Sequence, residues 1–338
     1  QLAKKIQLNS AYGALSNQYF RWYDTQLAES ITVSGQLSIR FISNKINAYF
    51  NKLLKTVDVD YIIAIDTDST YINMGPLVER LCADKPVEEI VDFIDAFCEK
   101  HVSPFIDKSY QELADSMNAY QQKMEMGREA IANKGVWTAK KRYILNMWDN
   151  EGVRYSEAEH KMMGIEAVRS STPEIIRTFI KKAIFIIMNK EQEDMIAFIQ
   201  ECRKEFNKLP FEDVSSPRSC KNLKKYTGAD GMTFAKGIPI QVRGAAVYNK
   251  ILKEKKLDKK YPLIMEEDKI RYCYLKLPNP TKENVISVPS ILPRELGLEE
   301  YIDYNTQFEK NFIAPIKKIL DAIDWPVEKR LTLDSFFG

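Results

Sequence analysis

The chain has 338 residues, of which 45% are hydrophobic and 28% charged, which is typical of a globular protein with a substantial core. No apolar run reaches the ~18 residues that a membrane span requires, and no signal peptide opens the sequence. Five scattered cysteines and two histidines give little support to a zinc site or a histidine-based triad, and they fit a reducing compartment. The net charge of +2 does not by itself identify a nucleic-acid binder.

The first part of the chain predicts a mixture of helices and strands. Helices are expected at 1–16, 27–54, 76–101 and 103–121, and strands on both sides of Asp66 and at 123–132, 137–148 and 153–156. The helix at 27–54 carries one apolar stripe. Its members are Ile42, Ile46, Tyr49, Phe50 and Leu53. Ser103 and Pro104 are suited to the cap and first turn of a helix.

After about residue 165 the pattern becomes mostly helical. Helices are expected at 173–190, 192–207, 243–254 and 305–323, and strands near 270–277 and 285–288. In "SSTPE" (170–174), Ser171 or Thr172 is the expected cap, and Glu174 can reach back to it. We therefore predict two bodies, a mixed one to about residue 164 and a mostly helical one after it.

The stretch "YIIAIDTDSTYINM" (61–74) places two carboxylates where two apolar runs meet. Both runs are predicted to be buried strands. Residues two apart on a strand share a face, so Asp66 and Asp68 would project together. Nearby carboxylates repel unless a cation lies between them, and Mg²⁺ prefers such oxygen ligands. From the motif alone, a solvated turn is the alternative.

One face of the first predicted helix is polar. Lys5, Asn9 and Tyr12 follow each other at i, i+4 and i+7 and so share that face. We expect Leu2 and Ile6 to face the core from another side. A cation, an amide and a phenol together suit a ligand that carries phosphates and a planar base. An exposed polar helix face is the alternative.

Basic residues are clustered although the net charge is small. The clusters are Lys134, Lys140, Lys141 and Arg142; then Arg218, Lys221, Lys224 and Lys225; then Lys250, Lys253, Lys255, Lys256, Lys259 and Lys260. Separate basic patches on a near-neutral protein can follow a phosphate backbone. Solvated helix faces are the alternative.

Several motifs together resemble family B DNA polymerases, in particular the replicative polymerases of T-even-like bacteriophages. The stretches K-x-x-x-N-S-x-Y-G (5–13) and D-T-D-S (66–69) are similar to motifs B and C of that family. The resemblance continues in "KKRY" (140–143), "KMMGIE" and "RSSTP" (161–173), "IPIQVRGAAVYN" (238–249) and "LDSFFG" (333–338). It implies an α+β fold, with a palm sheet that carries Asp66, Asp68 and Glu129, a fingers helix before it and a mostly helical thumb after it.

The resemblance also implies a domain division. It assigns residues 1–20 to the second half of the fingers, 21–164 to the palm, 165–330 to the thumb and 331–338 to a clamp-binding tail. The implied activity is template-directed transfer of a nucleotide from dNTP to a primer 3′-hydroxyl by a two-metal mechanism, in the cytoplasm of a host cell.

The resemblance further implies roles for individual residues. Asp66 and Asp68 would bind two Mg²⁺ ions, with Asp68 the more direct ligand and Glu129 a supporting carboxylate. The nucleotide-binding residues would be Lys5, Asn9, Tyr12 and Gly13. The residues that bind primer–template DNA would be Lys134, Lys140, Lys141, Arg142, Tyr143 and Arg243. Leu333, Phe336 and Phe337 would dock into a sliding clamp.

Three features depart from the family pattern. Ala64 and Ile65 replace a bulky residue and a glycine before D-T-D, and Gly127 replaces an aspartate of the closest relatives. Nothing matches motif A, which supplies another metal-binding aspartate. We therefore expect this chain to need an N-terminal polymerase portion that carries motif A and the exonuclease. A non-catalytic module that binds duplex DNA and a clamp is the alternative. An unrelated D-x-D enzyme, such as a glycosyltransferase, would not explain the other motifs.

Overall fold

The computed structural model describes residues 2–228 and 234–328, which form two compact units. Unit 1 contains residues up to 133 together with 147–159, and unit 2 contains 134–146 together with the residues from 160 onward. Helices and small sheets coexist in the chain, so the predicted α+β class is confirmed. None of the described helices combines the length and apolar character that crossing a bilayer requires.

The helices of unit 1 follow the predicted order. They are α1 (Leu2–Leu15), α2 (Thr25–Leu54), α3 (Gly75–Leu81), α4 (Val87–Phe97) and α5 (Ser103–Ser116). The carboxylate of Asp24 accepts a hydrogen bond from the backbone N–H of Leu27 and thereby caps α2. The helix ends where Lys55 adopts a left-handed conformation with φ 51°.

The core of unit 1 is built on the apolar stripe of α2. Ile42, Ile46 and Phe50 are almost completely buried there. Leu54 is 3% exposed whereas Leu53 is 41% exposed, so the assignment of Leu53 to the stripe was wrong. The register of the last helical turn places Leu54, four residues after Phe50, on the buried face.

Helix α5 begins at Ser103 with Pro104 in its first turn, as predicted, but Ser103 is not the cap, since Val102 occupies that position without a side-chain hydrogen bond. Helix α4, a π-helical segment (Cys98–Val102) and α5 follow one another without a gap, and the break lies earlier, between α3 and α4. Pro104 has no backbone N–H, so it cannot make the normal hydrogen bond of a helix interior. The π-helical segment accommodates this, because the N–H of Ser103 bonds to the carbonyl of Cys98 five residues back.

Two separate sheets hold the strands of the first half of the chain. Strands β1 (Ile62–Asp66) and β2 (Ser69–Ile72) form an antiparallel hairpin. The second sheet has the order β3 (Ala130–Ala139), β4 (Arg142–Asn150) and β5 (Val153–Met163). The strand expected at 123–132 begins only at Ala130, because residues 117–129 form neither helix nor strand. The prediction that one palm sheet carries both motif C and Glu129 was wrong.

The strands of the β1–β2 hairpin are less buried than their apolar sequence predicts. Ile63 and Ile65 are 48% and 41% exposed, whereas Tyr61, which precedes β1, is 1% exposed. Successive strand residues point to opposite faces, and a two-stranded sheet that packs on one face leaves the other exposed. The expectation that both strands are buried was therefore wrong.

Unit 2 is mostly helical, with one small sheet. Its helices are α6 (Glu174–Asn189), α7 (Gln192–Phe206), α8 (Phe211–Val214), α9 (Leu223–Tyr226), α10 (Ile240–Glu254), α11 (Tyr304–Phe308) and α12 (Ala314–Leu320). Its antiparallel sheet has the order β6 (Ser216–Ser219), β7 (Lys269–Tyr274) and β8 (Val285–Val288), and β6 was not predicted. Aromatic side chains fill the core, including Phe308 and Phe312, whose ring centroids are 5.0 Å apart.

Two local details of unit 2 explain its sequence. The capping residue of α6 is Pro173, without a side-chain hydrogen bond, so the assignment of Ser171 or Thr172 as the cap was wrong.

In α10, a Cβ added to Gly244 would lie 2.8 Å from the backbone nitrogen of Ser287 in β8. The glycine of "VRGAAVYN" therefore allows the helix to contact the strand backbone.

Candidate active site and nucleic-acid interface

Asp66 and Asp68 lie at the turn of the β1–β2 hairpin. Strand β1 ends at Asp66, Thr67 has a φ of 60°, and the N–H of Asp68 donates to the carbonyl of Asp66 at 2.7 Å. Only Asp66 belongs to a strand, so the argument that both residues share a strand face does not hold. Asp66 is half-buried and accepts a 3.3 Å hydrogen bond from the Thr67 hydroxyl, whereas Asp68 is exposed.

Glu129 lies in a different local structure, immediately before β3. Its side chain is exposed, and its carbonyl accepts a hydrogen bond from the N–H of Glu151 at 2.6 Å. Within residues 2–228 and 234–328, no three His, Cys, Asp or Glu side chains are grouped closely enough to bind a metal ion. Asp66, Asp68 and Glu129 therefore do not form such a group here, and their metal-binding and catalytic roles stay predictions.

A charged network that the sequence did not predict adjoins Glu129. Arg128 makes ion pairs with Asp95, at 2.7 Å, and with the completely buried Asp149. Burial alone would lower the pKa of Arg128, but its hydrogen bonds to Asp149 and Asp95 outweigh this and raise the pKa. Arg154 also contacts Asp149 at 2.7 Å and Asp95 at 2.8 Å. The network joins α4, through Asp95, to β4 and β5, through Asp149 and Arg154.

Helix α1 presents its predicted nucleotide-binding residues to solvent. Lys5, Asn9 and Tyr12 are exposed, and a Cβ on Gly13 would meet nothing within 4 Å. The expectation that Leu2 and Ile6 face the core is wrong, since they are 73% and 56% exposed. The described part of α1 buries none of its residues. Both the polar and the apolar side of α1 are therefore accessible.

The "KKRY" element forms the hairpin tip between β3 and β4. Lys140 and Lys141 occupy the turn and are exposed, and Lys141 has a φ of 60°. Arg142 makes a 2.7 Å ion pair with Glu166. Tyr143 is only 5% exposed, and its ring centroid lies 6.3 Å from that of Trp137. In unit 2 the two lysines thus face solvent, whereas Arg142 and Tyr143 pack against the protein.

The other two predicted DNA-binding residues have partners within unit 2. The ammonium group of Lys134 donates to the carbonyl of Met188 at 2.8 Å, near the C-terminal end of α6. Arg243 lies 3.7 Å from the carboxylate of Glu283 and also donates to the side-chain oxygen of Asn284. The clamp-binding residues Leu333, Phe336 and Phe337 lie outside the described residues.

Comparison with known proteins identifies relatives along the whole chain. No protein-family profile matches it. It is 34% identical over 352 residues to the DNA-directed DNA polymerase of Enterobacteria phage T4, and 33% identical over 351 residues to that of Escherichia phage RB69. Both alignments cover 100% of this chain and 38% of the relative, at its C-terminal end. This chain is homologous to the C-terminal portion of T4-like DNA polymerases.

The similarity extends beyond phages. DNA polymerase 1 of Aeropyrum pernix is 25% identical over 209 residues, which cover 61% of this chain and 17% of the archaeal protein. The resemblance that the motifs predicted is thus confirmed, and it places the chain among polymerase sequences. The chain spans less than two fifths of the phage polymerases that it matches.

Unit 2 of this polymerase homologue also contains a basic cleft that sequence reasoning did not assemble. The cleft has a volume of about 240 Å³. Its lining includes the basic residues Arg169, Arg218, Lys310 and Lys318, together with Ser171 and one carboxylate, that of Glu166. The guanidinium of Arg218 donates to the carbonyl of Ser171 at 2.8 Å, and Lys310 lies over the ring of Tyr274. These residues are far apart in sequence, so only "RSSTP" and the cluster at Arg218 pointed to part of the cleft.

Proposed function

We propose that this chain provides the palm, the thumb and part of the fingers of a template-directed DNA polymerase. The observation that carries the proposal is the homology of the whole chain to phage DNA-directed DNA polymerases. The accessible residues agree with it. Asp68, the polar face of α1 and the lysines of the β3–β4 tip are all exposed, as contacts to a large substrate require.

In this proposal, Asp66 and Asp68 contribute carboxylate oxygens to two Mg²⁺ ions. The donor type fits, because Mg²⁺ prefers carboxylate oxygens together with substrate phosphates. When bound, these ions would stabilise the charge that develops as a primer 3′-hydroxyl attacks the nucleotide. Lys5 and Asn9 would contact the triphosphate, and Tyr12 with Gly13 would border the nascent base pair.

We further propose that the active site is completed by an upstream polymerase portion that carries a motif A aspartate. Two carboxylates at a hairpin turn, with no third acidic group grouped with them in the part of the chain that the structure describes, form only part of a two-metal site. Primer–template DNA would bind through Lys140, Lys141 and the basic cleft, which provide charge without reading base edges. The tail 331–338 would dock into a sliding clamp and raise the local concentration of the enzyme at the primer end.

Primer extension tests the proposal. The purified chain should bind primer–template DNA but should not extend it, and extension should appear when the N-terminal portion of a T4-like polymerase is added. Asp68→Ala should abolish extension by the assembled enzyme. Robust extension by the chain alone would contradict the incomplete-site proposal, and absence of both DNA binding and extension in the assembled enzyme would contradict the polymerase proposal.

A non-catalytic module that binds duplex DNA and a clamp is the second candidate. The lack of an acidic triad around Asp66 among the described residues favours it. Under this alternative, Asp68→Ala would leave every measurable activity unchanged, including clamp-dependent retention on DNA. The same primer-extension series therefore distinguishes the two functions.

A further inference from the structure

The β3–β4 tip is held by a segment of unit 2 that follows β5. The guanidinium of Arg142, at the base of the tip, lies 2.7 Å from a carboxylate oxygen of Glu166, and each side chain is 19% exposed. The other carboxylate oxygen of Glu166 lies 3.6 Å from Arg169. Arg169 in turn donates to the carbonyl of Gly164 at 2.9 Å. The carboxylate of Glu166 thus joins Arg142, at the tip, to Arg169, in the segment that follows β5.

The backbone of the same segment touches the tip directly. Gly164 has a φ of 65°, and a Cβ on it would overlap the carbonyl oxygen of Lys141 and lie 3.1 Å from a side-chain carbon of Arg142. Only glycine allows both the conformation and the close approach. The turn that presents Lys140 and Lys141 is therefore fixed at two points, the ion pair and this backbone contact.

The ion pair is charged at neutral pH. Burial by itself would raise the pKa of Glu166, but the hydrogen bond from Arg142 and the nearby charges of Arg142 and Arg169 outweigh it and lower the pKa. A charge-assisted hydrogen bond between two largely buried side chains has a more restricted geometry than an exposed ion pair. Arg142 is thereby held by the protein, although the family resemblance assigns it to DNA.

We propose that Glu166 is a positioning residue, which orients Arg142 and with it the lysine tip that contacts the phosphates near the primer terminus. This inference rests on the proposed function for its substrate, primer–template DNA. Its structural part, the fixing of the tip by Glu166, does not. Glu166 also lines the basic cleft, but both of its carboxylate oxygens lie against arginines, and its effect on the tip would pass through Arg142.

Glu166 could influence DNA binding through its charge alone or by positioning the tip, and the two explanations predict opposite results when its carboxylate is removed. Glu166→Gln removes one negative charge near the tip, so an effect of charge alone would strengthen DNA binding. If Glu166 positions the tip, the same change releases Arg142 and the turn, and primer extension becomes slower without a gain in affinity. Glu201→Gln is the matched control, because Glu201 is an exposed residue of α7, in the same unit but in a different element from the tip.

Hydrogen exchange and primer extension together test the proposal. In the full chain, we expect Glu166→Gln to accelerate amide exchange of residues 139–143 by about tenfold, with Glu166→Asp largely restoring protection and Glu201→Gln without effect. In the assembled enzyme, Glu166→Gln should reduce the extension rate at saturating DNA by about 10- to 100-fold, the range expected when a binding group is displaced. The KM for dNTP should change little, because the tip lies on the primer side.

Three results would overturn the proposal. Unchanged exchange in Glu166→Gln would show that the carboxylate does not hold the tip, whatever the function of the chain. Faster exchange with tighter DNA binding and normal extension would show that only charge matters. A loss of extension that Glu166→Asp does not restore, with exchange altered throughout unit 2, would indicate general destabilisation. If the unmodified assembled enzyme does not bind primer–template, the proposed function fails, while the exchange measurement still decides whether Glu166 holds the tip.

Discussion

Replacement of Asp149 by alanine should destabilise unit 1 more than any other single change in its charged network. The carboxylate of Asp149 has 0% exposure and accepts hydrogen bonds from Arg154 at 2.7 Å, from the N–H of Gly152 at 3.0 Å, and from Arg128. Asp149→Ala leaves the N–H of Gly152 and part of the guanidinium of Arg128 without an acceptor. Arg128 is only 15% exposed, so water replaces the lost partner poorly.

The expected magnitude follows from burial. Removing one partner of a buried ion pair costs about 3–5 kcal/mol, because the other charge stays buried and uncompensated. Arg128 keeps its 2.7 Å contact with Asp95, and Arg154 keeps its contacts with Asp95 and Asp92. We therefore expect a loss near the lower limit, about 3 kcal/mol in the free energy of unfolding.

Asp92→Ala provides the matched control. Asp92 contacts the same Arg154, at 3.1 Å, but its side chain is 72% exposed. An exposed ion pair contributes about 0–1 kcal/mol, so this variant should unfold almost like the unmodified chain. Urea unfolding followed by circular dichroism, with hydrogen exchange of the α4 and β5 amides to identify unit 1, measures both variants. Losses equal within about 0.5 kcal/mol would refute the argument that burial of Asp149 determines its contribution.

Three further predictions concern other parts of the chain. Gly244→Ala should destabilise unit 2 by about 1–3 kcal/mol in urea unfolding, because the added Cβ would lie 2.8 Å from the backbone nitrogen of Ser287. Gly237→Ala is the control, because Gly237 has open space around it and a φ of 83°, so an alanine there introduces backbone strain without a steric contact. Asp68→Ala should nearly abolish synthesis by the assembled enzyme. Its affinity for duplex DNA, measured by fluorescence anisotropy, should stay within about twofold of the original value. Deletion of residues 333–338 should leave short synthesis unchanged and remove stimulation by the cognate clamp on long templates; equal stimulation would show that the tail does not dock.

The fold was predictable where one local signal decides the structure. The apolar stripe predicted α2, "SSTPE" marked the approximate start of α6, and the D-x-D turn marked the β1–β2 hairpin. Sequence reasoning failed where two signals competed. Ser103–Pro104 has the composition of a helix start, and α5 does begin there, but a π-helical segment joins α5 to α4 without the gap that a cap at Ser103 implied.

Burial was harder to predict than secondary structure. Leu2, Ile6 and Leu53 belong to helices as expected, yet they are exposed, because burial depends on which other element covers a face. The candidate site shows the same limitation. The motifs indicated which residues have the chemistry, whereas the network around Asp149 and the pairing of Arg142 with Glu166 join segments that are distant in sequence. No spacing rule connects such residues before the chain is folded.

The pairing of basic residues leads to a final prediction, on the salt dependence of DNA binding. Five cations were assigned to DNA, but Lys134, Arg142 and Arg243 bind Met188, Glu166 and Glu283 within the protein. A cation that already has a partner must lose it before it neutralises a phosphate, so it contributes less counterion release. Each phosphate contact contributes about 0.9 to the slope of log K against log salt concentration.

Lys140, which is exposed in the turn of the tip, should therefore contribute more to that slope than Arg243 does. Lys140→Ala should reduce its magnitude by about 0.9, whereas Arg243→Ala should reduce it by less than about 0.5. Anisotropy titrations of primer–template between low and moderate salt measure both changes. If Arg243→Ala lowers the slope as much as one lysine substitution does, then Arg243 leaves Glu283 when DNA binds, and the partners within the protein do not limit which cations meet phosphate.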